Sequence, residues 1–132
     1  MSGTVQAVQH QISEWSYGSG KAYSDPFNQV EVDVVLAGPA GQWRVPAYWA
    51  GGNEWRVRFA PPGPGQYRFR SICSDTGNAD LHHREGLLEA TPYQGDNALL
   101  RHGPLRVSQN RRHFEHADGA PFCWLGDTWW MG

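Results

Sequence analysis

Apolar and polar residues alternate through the middle of the chain. Val30, Val32, Val34 and Leu36 occupy one phase of a two-residue period, and Gln29, Glu31 and Asp33 occupy the other. That pattern predicts a strand from Phe27 to Leu36 with one buried face. The same alternation places Trp55, Val57 and Phe59 against Arg56 and Arg58, and Tyr67, Phe69, Ser71 and Cys73 against Gln66, Arg68 and Arg70. The expected core is therefore Val32, Val34, Trp55, Val57, Phe59, Tyr67 and Phe69. Val5 to Trp15 reads as a first strand, and Tyr17 to Lys21 as a flexible connection. Trp43 to Trp49 reads as a strand in which Pro46 removes a ladder donor, which suits an edge position or a bulge. Gly86 to Thr91 and Leu105 to Ser108 add two short strands, separated by a loop around Gly95 and Asn97. Gly38-Pro39-Ala40-Gly41, Gly51-Gly52-Asn53 and Pro61 to Gly65 are turn signals, and Ser74 to Glu85 is a long polar loop.

About seven strands with turn signals every 8–12 residues or so predict an antiparallel β-sandwich. The composition agrees: aromatic residues make up 13%, charged residues only 18%, with 16 Gly and 9 Pro. Phe114 to Gly132 has a different character. Asp118-Gly119 is a hairpin signal between Phe114 and the run Pro121 to Leu125. Phe122-Cys123-Trp124-Leu125 is continuously apolar, like a strand covered on both faces in a parallel sheet. The expected organisation is a β-sandwich over residues 1–110, followed over 111–132 by the start of a further domain or a docking tail.

A formal charge of −2 provides no global field for nucleic acid or anionic lipid. No apolar run approaches the roughly 20 residues needed to span a bilayer. The start, MSGTVQAVQHQ, shows no signal peptide, although a removed signal would leave the same trace. Cys73 and Cys123 read as two reduced, buried thiols, since free Cys packs as a small hydrophobe; a single disulfide stays open, and without a CxxC pair no thiolate zinc site is expected.

Candidate chemistry is sparse. Gly18-Ser19-Gly20-Lys21 fails as a phosphate-binding loop, with Trp15 where the first Gly belongs and Ala22 where Ser or Thr belongs. His82 and His83, near Asp75 and Asp80, would point to opposite sides of an extended backbone, so no metal site is expected. His113 and His116 read as ordinary hairpin residues. Glu31 and Asp33 share a polar face, but no motif marks them as the carboxylate pair of a glycosidase. No catalytic residue, metal or cofactor is expected. Arg56, Arg58, Arg68 and Arg70 form a basic stripe if their strands pair. Tyr48 and Trp49, beside Asn53, are the candidate sugar platform, because a flat ring complements the CH-rich face of a pyranose. Against that stands a core role for Trp43, Trp49 and Trp55.

The order Asp25-Pro26-Phe27, Val30-x-Val32-x-Val34, Tyr48-Trp49-x-Gly51-Gly52, Trp55-x-Val57-Arg58-Phe59-x-Pro61, Gly65-x-Tyr67-x-Phe69 and Ser71 resembles the N-terminal immunoglobulin-like β-sandwich that precedes apiosidase-like glycoside hydrolase barrels. The tail, Phe114 with Asp118-Gly-x-Pro-Phe-x-Trp-Leu-Gly-Asp127-Thr128-x-Trp130, resembles the opening strand of such a (β/α)8 barrel. The resemblance runs from about Asp25 to the C-terminus, and the tail is its most specific part. It implies a non-catalytic accessory module packed on a glycosidase barrel whose carboxylates lie on later strands. Asp127 would be a substrate-pocket or structural residue of that barrel. Two other readings stay open: a carbohydrate-binding module using Tyr48, Trp49 and Asn53, and a protein-interaction module docking through its aromatic C-terminus. Pro121 to Trp130 is also a candidate for self-association.

Overall fold

The alternating segments become the central strands of one sheet. The computed structural model describes residues 3–131; Met1, Ser2 and Gly132, the outermost residues of the expected domain ranges, lie outside them. In chain order the elements are β1 (Thr4–Val8), β2 (Ser13–Gly18), α1 (Pro26–Gln29), β3 (Val32–Gly38), β4 (Gly41–Gly51), β5 (Glu54–Phe59), β6 (Gly65–Cys73), β7 (Glu85–Thr91), α2 (Ala98–His102), β8 (Leu105–Val107) and β9 (Phe114–His116). They fall into two compact units, Met1–Tyr93 and Gln94–Gly132. The expected boundary at 110/111 lies inside the second unit, between β8 and β9.

The first unit is a seven-stranded sheet in the order β1-β7-β6-β3-β4-β5-β2. Its neighbours run antiparallel except β1 and β7, which are parallel. The expected purely antiparallel sheet is thus corrected to a mixed one. The cause lies at His10, whose φ of 66° breaks the expected Val5–Trp15 strand in two. The Gln9 N–H donates to Thr91 O and the His10 N–H to Pro61 O, each at 2.8 Å. One piece therefore follows β7 and the other follows β5. Gln9-His10-Gln11 contains none of the usual turn residues, so the pattern gives no warning of the break.

Strand β4 changes partners midway. It pairs with β3 as far as Val32↔Ala47 and with β5 from Tyr48↔Arg56, with a bulge between Trp49 and Gly51. The sheet folds over at this changeover, and its two halves contribute to one core. The Phe59 and Tyr67 rings lie 5.8 Å apart, Trp15 and Phe69 4.8 Å, and Trp43 sits 5.6 Å from Phe59 and 5.8 Å from Tyr67. With β1 lying beside β2, the sheet is nearly barrel-shaped. Pro46 precedes the point where the β5 ladder starts, so its missing donor costs that ladder nothing.

All seven expected core residues are buried, joined by Val30, Leu36, Leu81 and Leu88. Tyr17, expected in a flexible connection, is instead buried within β2. Phe27 does not begin β3. Asp25 caps α1, accepting from the Asn28 N–H at 3.4 Å and Asn28 Nδ2 at 2.8 Å. Pro26 opens the helix, delaying the strand to Val32. The β3–β4 hairpin closes on Gly38↔Gly41, and a Cβ at Gly38 would collide with the Tyr67 ring.

In the second unit, Asn97 caps α2 where a loop was expected. Strands β8 and β9 form an antiparallel hairpin. The Asp118-Gly119 turn forms: the His116 N–H donates to Ala120 O at 2.8 Å, and Gly119 takes a φ of 90°. Beyond it, Pro121 bridges back to Glu115. No strand forms over Phe122–Leu125, and Trp124, Leu125, Trp129 and Trp130 are exposed. Among the described residues there are nine strands, against the seven or so expected.

Truncating Trp55 or Phe59 to Ala is expected to destabilise the first unit by roughly 3–5 kcal/mol in urea unfolding, whereas Arg68→Ala should shift it by less than about 0.5 kcal/mol. A loss at Arg68 as large as at Trp55 would overturn the inward phase of these strands.

Candidate functional site

Where β3 and β4 stop pairing, a cleft of ≈ 460 Å³ opens, lined by Phe27, Glu31, Asp33, Tyr48 and Trp49 over a floor that includes Val32 and Trp55. Phe27 is 70% exposed, Tyr48 40% and Trp49 37%. Trp49 follows Trp43, Val45 and Ala47 on the inward phase of β4 and stands opposite Trp55. It is only half covered because β3 has no further pairing with β4 beyond Ala47.

Each wall is fixed by a local contact. The Trp49 indole N–H donates to Gly52 O at 2.9 Å, tying the ring to the Gly51-Gly52 turn. The Tyr48 hydroxyl donates to Glu14 Oε2 at 3.3 Å, and the Arg58 guanidinium lies 5.3 Å from the Tyr48 ring centroid. Arg58 Nε also donates to Glu14 Oε2, at 2.6 Å. That hydrogen bond holds the Glu14 carboxyl below its ordinary pKa and raises Arg58 in turn. Asp33 accepts from Arg44 Nε at 2.6 Å. Glu31 is anchored through its backbone, exchanging bonds with Ser74 at 2.9 Å in both directions, while its carboxylate faces solvent.

This arrangement fits binding better than bond cleavage. A glycosidase acid needs a carboxyl shielded enough to stay protonated; here Asp33 is committed to Arg44 and Glu31 is exposed. Of the residues proposed from the sequence, Tyr48 and Trp49 both border the cleft, but as neighbours on β4 they leave opposite faces of the strand, Trp49 on the inward phase with Trp55 and Tyr48 outward with Glu14 and Arg58. Asn53 lies outside its walls, at the end of the adjacent turn, where its backbone O accepts from the Ser19 N–H at 2.8 Å. Asp127 belongs to the second unit, where its Oδ1 accepts from the Thr128 N–H at 2.8 Å. Trp55 is buried and Trp43 packs on the core, but the core reading fails for Trp49. Phe27 was missed as a site residue. Asp25-Pro26, a cap followed by a helix-opening proline, was the signal that could have separated it from the strand.

Other expectations resolve plainly. Lys21 Nζ donates to Asp75 Oδ2 at 2.6 Å, so the glycine-flanked lysine serves an ion pair between loops. His82 and His83 do not diverge. His83 takes a φ of 58°, which removes strand alternation, and the two rings stack at 3.7 Å. Among the described residues no cluster of three or more His, Cys, Asp or Glu is arranged for a metal. Arg56 and Arg58 do not share a stripe with Arg68 and Arg70, because β5 and β6 are not neighbours. Instead Arg68 and Arg70 border a separate depression of ≈ 390 Å³ with Val35, Ala37 and Glu85. Cys73 is a buried thiol whose pKa is raised by burial, but Cys123 is exposed, contrary to expectation; both are free.

Residues 6–74 match the family described as "Domain of unknown function (DUF5060)". No curated protein matches the chain significantly. Among solved structures, a candidate glycoside hydrolase from Bacteroides vulgatus ATCC 8482 superimposes with a TM-score of 0.72 at 22% identity. The match covers 89% of this chain and 21% of that one, so the chain spans about a fifth of that protein's length.

Replacing Arg58 with Gln should bring the Glu14 titration back up toward the ordinary carboxylate value, read from the carboxyl carbon by NMR. Because the folded pKa is depressed, the stabilisation from this contact is present above the unfolded carboxylate pKa. It is lost as pH falls through the lower folded value. An unmoved Glu14 titration in Arg58→Gln would separate Tyr48 from the proposed anchor.

Proposed function

The chain belongs to the DUF5060 family of domains, and on that basis we propose that it is a non-catalytic accessory module of a glycoside hydrolase. In this reading the first unit is an immunoglobulin-like sandwich that packs on a catalytic (β/α)8 barrel of the apiosidase-like kind and helps to shape it. The supporting observation is the fold match itself: a fold shared over 89% of this chain accounts for only 21% of a candidate glycoside hydrolase, leaving most of that chain for other parts. The second unit belongs to the same reading. Phe122 to Leu125 would form the opening barrel strand, with Asp127 at its pocket end. The exposed Trp124, Leu125, Trp129 and Trp130 are the surface such packing, or self-association through Pro121 to Trp130, would cover.

The chain itself should release nothing above blank from aryl glycosides or pectic polysaccharides; turnover abolished by Glu31→Gln or Asp33→Asn would make it an enzyme. In a longer relative that carries both parts, removing the segment equivalent to residues 6–93 should lower the barrel's melting temperature. A barrel that keeps both its stability and its activity excludes the packing role. Deleting Pro121 to Gly132 should leave the melt of the first unit in place and shift sedimentation toward monomer. Outright unfolding would assign the tail to the core.

A further inference from the structure

Large apolar side chains left in water are individually ordinary on a protein surface, and their grouping is what carries information. In the first unit the exposed ones, among the described residues, are Ile12, Phe27, Tyr48 and Trp49. Three of these four border the cleft where β3 leaves β4, Trp49 from the inward face of β4 and Tyr48 from its outer face. They arrive there from separate elements, α1 and β4. None of them is needed to fill the core, which closes around Trp55, Val32 and Val30 beneath them.

Two of the rings are also held in place before any ligand arrives, and the helix that carries the third is capped. Trp49 is tied to Gly52, Tyr48 to Glu14 and Arg58, and Phe27 stands on a helix capped by Asp25. Fixing a side chain in the free protein removes an ordering cost from binding. The cleft's volume of ≈ 460 Å³ falls inside the roughly 300–1,000 Å³ typical of small-ligand sites.

The polar lining narrows the ligand class. The charged groups are Glu31 and Asp33; Asp33 is neutralised by Arg44, which leaves one exposed carboxylate. An anionic ligand meets repulsion there. A purely apolar ligand would strip water from Glu31 without replacing its hydrogen bonds. A neutral pyranose satisfies both demands, presenting C–H groups to the rings and hydroxyl donors to the carboxylate.

We propose that the cleft bordered by Phe27, Tyr48, Trp49 and Glu31 is a binding site for neutral pyranose rings of an oligosaccharide. The site rests on this chain alone and does not depend on the packing role proposed above. Its failure would leave the barrel-stability experiment untouched, and the reverse also holds.

The test is titration of the full chain with neutral cello-, xylo-, manno- and galacto-oligosaccharides, with an oligogalacturonide as the acidic comparison. Binding is read by calorimetry and by the indole ¹⁵N–¹H resonance of Trp49. At least one neutral series should shift that resonance, and the oligogalacturonide should not. Trp49→Ala and Phe27→Ala should each weaken binding by roughly tenfold or more, Glu31→Gln by a smaller factor, and Ile12→Ala not at all. Phe27→Ala keeps the test decisive if Trp49→Ala melts early, because Phe27 lies outside the core. Three results overturn the site: no neutral oligosaccharide shifting Trp49, binding that survives both aromatic substitutions, or binding of the acidic oligosaccharide alone.

Discussion

Strand β4 does not keep both neighbours along its length, and the first unit is organised by that fact. Up to Ala47 its partner is β3, and from Tyr48 it is β5. Had both ladders run the full strand, the sheet would have opened flat and left Trp55 and Phe59 with nothing to face. Because the partners alternate, β5 folds back over β6, and Trp43 touches rings from both halves. The same divergence removes the cover from Trp49 and opens the cleft. Core and candidate site are two consequences of one change of pairing.

The polar contacts then stiffen what the changeover leaves open. Asp75 accepts from Lys21 and from the Tyr23 hydroxyl, each at 2.6 Å, and Asn78 donates to Tyr23 and Ser19. Lys21 and then Tyr23 hold the Asp75 carboxyl below its ordinary pKa. Lys21 is largely exposed, so the ion pair adds little stability by itself. Its effect is geometric: it fastens the 19–23 loop to the 74–80 loop, and Tyr23 meets Trp55 edge-on at 6.2 Å. Trp55 is the floor of the cleft, so these surface bonds support the platform from behind.

The core was legible because burial on one face of a strand imposes a two-residue period that survives in any sequence. What periodicity does not record is which strands become neighbours. Arg58 and Arg68 share a face only if their strands pair, and the Pro61 to Gly65 segment instead carries the chain from one half of the sheet to the other. The break at His10 and the stacking of His82 on His83 both depend on a left-handed residue that is not Gly, Asn or Asp, and composition does not announce those. Tyr48 and Trp49 were legible as a local pair beside a glycine turn. Phe27 was not, since its place beside the cleft follows from the cap at Asp25 and the short helix it opens.

Exposed aromatic residues occur in both units, and their anchoring distinguishes them. Beside the cleft, Trp49 spends its indole N–H on Gly52 and stays more than a third exposed, while the Tyr48 hydroxyl is held by Glu14 and its ring by Arg58. In the second unit, Trp124 has only neighbouring rings, Phe114 at 5.6 Å and Phe122 at 6.1 Å, and among the described residues Trp129 and Trp130 make no ring contact. A ring held by hydrogen bonds in the free protein offers a fixed surface to something small that arrives and leaves. Unanchored indoles alongside Leu125 and Met131, all more than half exposed, lack that order and reach low free energy only when a larger apolar surface covers them. The two groups therefore differ in kind: an indole held by a hydrogen bond beside the cleft, and mostly exposed rings without such a tie in the tail.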